Sequence, residues 1–330
     1  MRFPPILIPV LAPVLIMGAS GRIGGLLHSQ WSGPEQGLRW QRRRPPVGTG
    51  PDGRGWHVFE PLAEPEALLQ AAVGCAAILC LAGPVPGGTA GGDLRAGQLV
   101  QHRDLALAAL EASARARDAG AGTGAGAGAP RVLLASSAAV YGATPGPLRE
   151  DTPLAPLAPY GAAKAEMEQA ACARATELGL DVTLLRIGNI AGFDAILGGW
   201  RAGFCLDQFA DGQTPRRSYI GPRTLAEVLA ALIASPALPQ VLNIAQPGLV
   251  AMGDLLQAAG LEFARRPAPG DAIAEVQLDV SRLIGLLTPE PAPAADLPAC
   301  LPVATAADLV AEARGLGLLS PSVSDKDPRI

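Results

Sequence analysis

The sequence predicts an α/β fold: a doubly wound parallel sheet with helices on both faces and a small, discontinuous carboxyl-terminal lobe. Three observations carry this. Short unbroken apolar runs, such as Val14-Leu15-Ile16-Met17 and Ala76-Ala77-Ile78-Leu79-Cys80-Leu81, read as strands buried on both faces. Helical patterns separate them, the order that builds a parallel sheet. The first run also passes directly into Gly18-Ala19-Ser20-Gly21-Arg22-Ile23-Gly24 and then into a helical stretch, giving a strand, a glycine-rich turn and a helix in sequence.

Each element follows in order. In the first unit Gly18 permits the tight turn, Gly21 lets backbone approach a pyrophosphate, and Gly24 allows close helix–strand packing. With Ser20, Arg22 and Ile23 they form an expected dinucleotide-binding turn, its phosphates received by the helix N-terminus. The next strand, Leu38-Arg39-Trp40-Gln41, runs into Arg42-Arg43-Arg44 with no acidic residue to accept from a ribose 2′-hydroxyl. Arg42 and Arg43 suit a 2′-phosphate, so NADP is expected, with NAD as the alternative. Residues 56–59 read as a third strand, with Glu60 near the expected adenine pocket, and 66–72 as a helix. The strand at 76–81 ends in Leu81-Ala82-Gly83 and a Gly/Pro loop over 83–92, at the carboxyl edge where ligands bind in such sheets. A helical pattern covers 94–119, and 120–129 reads as a Gly/Ala surface insertion. Arg131-Val132-Leu133-Leu134-Ala135 is the next strand and delivers Ser136-Ser137 to the same edge; a helix over 161–177 and a strand over 181–186 follow.

That helix opens on Tyr160 and Lys164, four residues apart and so on one face. Of 26 Lys plus Arg, only Lys164 and Lys326 are lysines, so a lysine here is conspicuous. Its ammonium is expected to pull the phenol below its usual value of about 10, making Tyr160 an acid/base near neutrality.

Composition narrows the classes. A formal charge of −4 gives no electrostatic footprint for nucleic acid. Prolines 4, 5, 9 and 13 interrupt the apolar start of the chain, and no run approaches the roughly 18 apolar residues of a membrane span, so a cytoplasmic protein is expected. Five cysteines without metal or scaffold spacing read as small core residues in a reducing compartment, and three scattered histidines suggest no metal site.

Taken together, the motifs resemble the short-chain dehydrogenase/reductase superfamily in its extended, epimerase/dehydratase-like branch, with a Rossmann-type sheet. The resemblance rests on Gly18-x-x-Gly21-x-x-Gly24, Leu81-Ala82-Gly83, Ser136-Ser137-x-x-Val140-Tyr141-Gly142 and Pro159-Tyr160-x-x-x-Lys164, in that order. Arg186-x-x-Asn189-x-x-Gly192, Arg217-x-Tyr219-Ile220 and Leu242-Asn243-Ile244 extend it to about residue 290. It implies Tyr160 as proton donor or acceptor, Lys164 lowering its pKa and binding the nicotinamide ribose, and Ser137 on the substrate oxygen. Asn189 and Arg217 are the implied substrate contacts, and a homodimer through the helices at 94–119 and 160–177 is a further expectation.

Departures from the branch's pattern shape the functional reading. His102 stands where relatives carry Asn, either as a packed surface residue or as a replacement in a proton relay. Ala138-Ala139 replace the acidic residue of sugar dehydratases, which speaks against dehydration. Gly221-Pro222-Arg223-Thr224 departs from His-Val-x-Asp, and only 27 residues separate Asn189 from Arg217, few for gripping a nucleotide diphosphate. The expected function is NAD(P)-dependent oxidoreduction of a small-molecule alcohol or carbonyl. The alternatives are a nucleotide-sugar epimerase and a non-catalytic NADP-binding sensor or assembly factor. Residues 1–192 are expected to form the dinucleotide domain, with 218–246 returning to it, and 193–330 the substrate lobe and tail.

Overall fold

Seven parallel strands make the central sheet of the computed structural model: β1 (Val14–Met17), β2 (Leu38–Arg42), β3 (Trp56–Val58), β4 (Ala77–Cys80), β5 (Arg131–Ser137), β6 (Val182–Ile187) and β7 (Val241–Ile244). Their spatial order is β7-β6-β5-β4-β1-β2-β3, so the winding reverses between β1 and β4. The structure describes residues 5–7, 12–32, 37–45, 55–84, 96–121, 128–288 and 301–319. The Gly/Pro loop beyond Pro84, most of the Gly/Ala insertion, Lys326 and the tail fall outside these residues.

The apolar runs are unbroken because each strand feeds two cores. Val14 and Ile16 of β1 face one cluster, with Ala77 and Leu79 of β4, Leu133 of β5, and Leu185 and Ile187 of β6. Leu15, Met17, Ile78, Cys80, Val132, Leu134, Val182 and Leu184 face the other. Helices α1 (Arg22–Gln30) and α5 (Pro222–Ala234) cover the first face. Helices α2 (Pro65–Ala72), α3 (Gln101–Ala121) and α4 (Pro159–Leu178) cover the second. The helical pattern at 94–119 is broken at Val100, behind a short turn of helix at Ala96–Leu99.

Helix α5 was not anticipated from the sequence, because its first residues read as a departure from a motif. Its signals are Pro222 at the first helical position and the apolar spacing Leu225, Val228, Leu229, Leu232, Ile233. The lobe contains α6 (Met252–Ala258), α7 (Ser281–Leu287) and α8 (Ala306–Gly315). A four-stranded sheet orders Val250–Ala251, Arg216–Arg217, Glu275–Leu278 and Pro147–Leu148, and Cys205–Gln208 pairs in parallel with Ala264–Pro267. The segment expected to return to the main sheet divides. Val241–Ile244 does return, as β7, whereas Tyr219–Ile220 pairs with Asn189–Ile190 in a separate two-stranded ladder. The chain leaves β6 at Gly188, where a Cβ would sit 2.8 Å from the Ser218 carbonyl, and this close crossing carries the segment off the sheet. Among the described residues no helix is long and apolar enough to cross a membrane.

Candidate active site

The reversal point of the sheet brings two loops together. Gly18 adopts φ +77°, and a Cβ on it would lie 2.7 Å from the Ala82 Cα, so the glycine-rich turn and the Leu81-Ala82-Gly83 segment touch. At Gly24 a Cβ would lie 2.6 Å from the Gly18 carbonyl oxygen. Helix α1 starts at Gly21 with no side chain capping its first turn, which leaves its N-terminal amides to an anion. Gln41, 1% exposed at the end of β2, secures this turn: the Gly18 N–H donates to its Oε1 (2.9 Å) and its Nε2 donates to the Phe59 carbonyl (2.8 Å). Its signal in the sequence is a neutral amide between Trp40 and Arg42 at the end of a strand. The cradle fits the phosphates of a dinucleotide.

Beyond it, the Arg42 guanidinium stacks over the Trp56 ring at 4.7 Å, and Arg43 reaches out into solvent with Glu60 3.9 Å away. Ser20 and Arg22 line the mouth of the turn, and Arg22 Nη1 donates to the Phe193 carbonyl at 2.6 Å.

Ser137, Tyr160 and Lys164 converge on the same edge, from the end of β5 and the first turns of α4. The Ser137 hydroxyl faces the Tyr160 phenol closely enough to act on its acidity, and it accepts from the Ala139 N–H (3.2 Å). Burial pushes the phenol up from its ordinary pKa, against the lowering effects of Ser137 and of the Arg22 charge. Against the expectation that Lys164 lowers Tyr160, the net shift is upward and Lys164 is not among its causes. The Lys164 ammonium lies 6.0 Å from the Tyr160 ring and donates instead to the Ala135 carbonyl (2.6 Å). Burial lowers Lys164 itself to about 8, opposed by Cys80 and Glu168.

His102 is not a surface residue. It is 2% exposed, its ring stands edge-on to Tyr160 with centroids 5.6 Å apart, and Gly83 gives it space that a Cβ would fill. Neither ring nitrogen has a well-formed hydrogen bond. Burial, then the nearby Lys164 charge, lowers its pKa to about 3, with the Pro84 backbone opposing slightly, so the ring is neutral at working pH. The folded value lies below the ordinary 6.5, so the stability held above that value is lost as pH falls toward 3. At about 1.4 kcal/mol per unit the effect reaches several kcal/mol. Calorimetric scans between pH 7 and 4 should show the melting temperature of His102→Asn falling less steeply than that of the parent.

Behind the lysine lies a buried polar network. Glu168, one turn after Lys164, receives the Ser136 hydroxyl (2.5 Å) and a forked bond from Arg186, whose Nη2 lies 2.7 Å from Oε2. Arg186 Nη1 also donates to the Tyr141 hydroxyl (2.8 Å), which donates to Asn243 Oδ1 (2.8 Å). Sequence reasoning named Arg186 only as part of a motif and did not find Glu168.

The remaining candidates are engaged elsewhere. The Arg217 guanidinium donates to the Arg216, Ile273 and Ala274 carbonyls, and Asn189 is paired in a ladder with Tyr219, whose hydroxyl donates to Asp194. The structure thus brings Ser137, Tyr160 and Lys164 together beside the glycine-rich turn and sets Arg217 in the lobe's small sheet.

Comparison with known proteins agrees with this geometry. Residues 14–196 match the family model described as NAD dependent epimerase/dehydratase family. A 65-residue stretch is 45% identical to a UDP-glucose 4-epimerase from Azospirillum brasilense, an alignment spanning 19% of this chain and 19% of that relative. The fold is similar to that of a UDP-N-acetylglucosamine 4-epimerase from Methanobrevibacter ruminantium M1, at 19% identity and a TM-score of 0.62 over 83% of this chain and 91% of that one. It is likewise similar to that of a dTDP-glucose 4,6-dehydratase from Streptomyces venezuelae with NAD bound, at 20% identity and a TM-score of 0.65 over 94% and 99% of the two chains.

Proposed function

The chain belongs to the NAD-dependent epimerase/dehydratase family, and on that premise we propose that it oxidises an alcohol carbon, or reduces the matching carbonyl, at a Ser137–Tyr160–Lys164 site. The observation that carries this reading is the meeting of the Ser137 hydroxyl with the Tyr160 phenol, one helical turn from Lys164, at the carboxyl edge of the sheet beside the glycine-rich turn. A bound nicotinamide dinucleotide supplies or accepts the hydride. The protein handles the proton and the charge. Tyr160 gives or takes the hydroxyl proton, and Ser137 holds the substrate oxygen within reach of it. Lys164 sits one helical turn behind, its ammonium weakened to about 8 by burial and free to turn from the Ala135 carbonyl toward a ribose hydroxyl. Ala138 and Ala139 offer no carboxylate to remove a carbon-bound proton, so elimination is not part of the reading. The lobe after residue 192 is taken to carry the substrate contacts. Turnover of a substrate panel, followed by the absorbance of the nicotinamide, tests the reading; a panel that never changes the redox state of bound dinucleotide counts against it.

For the cofactor we favour NADP, supported by Arg42 and Arg43 at the end of β2. Arg43 is exposed and adds nothing to the core, so Arg43→Ala isolates the contact. A charge-assisted hydrogen bond is worth about 1.5–3 kcal/mol, so this variant should bind NADP(H) about tenfold more weakly or worse while NAD(H) affinity is unchanged in fluorescence titration. Equal affinity of the parent for both dinucleotides would sink the preference.

A second reading, nucleotide-sugar epimerisation, is favoured by one observation. An open cleft of about 610 Å³ in the lobe is lined by Arg265 together with Phe209, groups suited to a phosphate and a base, and by Arg266, whose Nε donates to Asp207 at 2.7 Å. The three carbonyls occupying Arg217 speak against that residue as a phosphate ligand. Calorimetric binding of a uridine diphosphate sugar would put this reading first.

A further inference from the structure

The glycine-rich turn is complete without the carboxyl-terminal helix, yet three contacts seat α8 beside it. The first is polar. The backbone N–H and the hydroxyl of Thr224, in the first turn of α5, donate to the Glu312 carboxylate at 3.0 and 2.6 Å. A carboxylate from α8 thereby caps α5 from outside, where amides and dipole favour negative charge. Gly221 makes this approach feasible, since any Cβ there would collide with the Glu312 carboxylate. The second contact is apolar. Gly192, at φ +85°, leaves room for Leu318 and Ala313, whose Cβ atoms would lie 3.1 and 3.4 Å from a Cβ on it. The third is the result: Leu316 and Leu318 line one side of an open cleft of about 370 Å³ whose other lining includes Ser20, Gly21, Arg22 and Phe193.

We infer that α8 and residues 316–318 form a cofactor-retaining wall beside the phosphate-binding turn, latched by Glu312 on α5, so that Glu312, Leu316 and Leu318 are determinants of dinucleotide affinity. The inference rests on the family's dinucleotide occupying the glycine-rich turn, and not on the catalytic assignment. Two leucines do not bind phosphate. They shield one side of it from water, and on that side the contacts from the α1 amides and from Arg22 strengthen. The motif glycine Gly192 and the departure from the motif at Gly221 then have a common physical reason, since both make space for side chains of the α8 segment.

The test uses the full chain with NAD and NADP and without substrate. Leu318→Ala removes part of the wall at a half-exposed position, and Glu312→Ala opens the latch. Each should weaken dinucleotide binding about tenfold, mainly through faster dissociation in stopped-flow displacement. In the parent, dinucleotide should slow amide hydrogen exchange over 306–318. If Glu312→Ala unfolds, Leu318→Ala and the exchange experiment decide. A parent that binds dinucleotide with no change in exchange at 306–318, or a Leu318→Ala variant with parental affinity and dissociation rate, overturns the wall while leaving the dinucleotide site intact. An active Tyr160→Phe enzyme would leave the wall untouched and refute only the catalytic reading.

Discussion

Tyr160→Phe is expected to lower kcat by about 10²–10⁴-fold, the range general acid–base catalysis supplies, with dinucleotide affinity nearly unchanged. The substitution removes one oxygen. The ring edge against His102 and the start of α4 at Pro159 are retained, and Lys164 keeps its bond to the Ala135 carbonyl. Ser137 loses only its phenolic partner and still accepts from the Ala139 N–H. Steady-state kinetics beside a fluorescence titration of the dinucleotide separate the two quantities, and undiminished turnover refutes the assignment. A companion expectation concerns pH. Burial raises the phenol, so Tyr160 stays protonated well past neutrality. Reduction, which consumes its proton, should then fall off only at alkaline pH, whereas an oxidation starting from the phenolate should rise through the same range.

The second large effect concerns the fold. Arg186→Leu leaves the Glu168 carboxylate, 3% exposed, without its ionic partner. Breaking a buried pair from one side costs about 3–5 kcal/mol, because the remaining charge is uncompensated. Chemical denaturation should show that loss for Arg186→Leu and a comparable one for Glu168→Leu, with the double variant losing clearly less than the two together. Additive losses would mean that the two groups act independently. The midpoint shift should also reach Asn243 on β7 through Tyr141, so that Tyr141→Phe, which removes the bridging hydroxyl, weakens the coupling.

Most of the central sheet was legible because its strands report on both cores at once. A strand such as Val14–Met17 has no solvated face, and its sequence is apolar throughout. The turn and the Tyr–Lys pair were legible for a different reason: close backbone approach demands glycine, and a lone lysine on a helix face stands out. What escaped was what depends on distant partners. Glu168 looks like any helix glutamate until Arg186 and Ser136 arrive from other strands. The direction of the Lys164 ammonium was likewise hidden, since i,i+4 spacing sets a shared face but leaves its acceptor, a carbonyl of β5, undetermined. In the lobe, two-residue strands such as Arg216–Arg217 and Val250–Ala251 are too short to show any period, and α5 was hidden by reading its first residues as a motif.

The lobe's small sheet has a consequence for how the molecule comes into being. Its edge strand, Pro147–Leu148, lies shortly before α4 in sequence but pairs with Gln277 and Leu278, which are made more than a hundred residues later. Contacts of such long range close slowly and need the intervening chain to be ordered first. During synthesis the dinucleotide half can therefore condense while Leu148, fully buried in the finished protein, still lacks its neighbour. Refolding of the isolated chain should show a late phase in which the lobe zips shut, and chains released early should carry a formed glycine-rich turn beside an open substrate side.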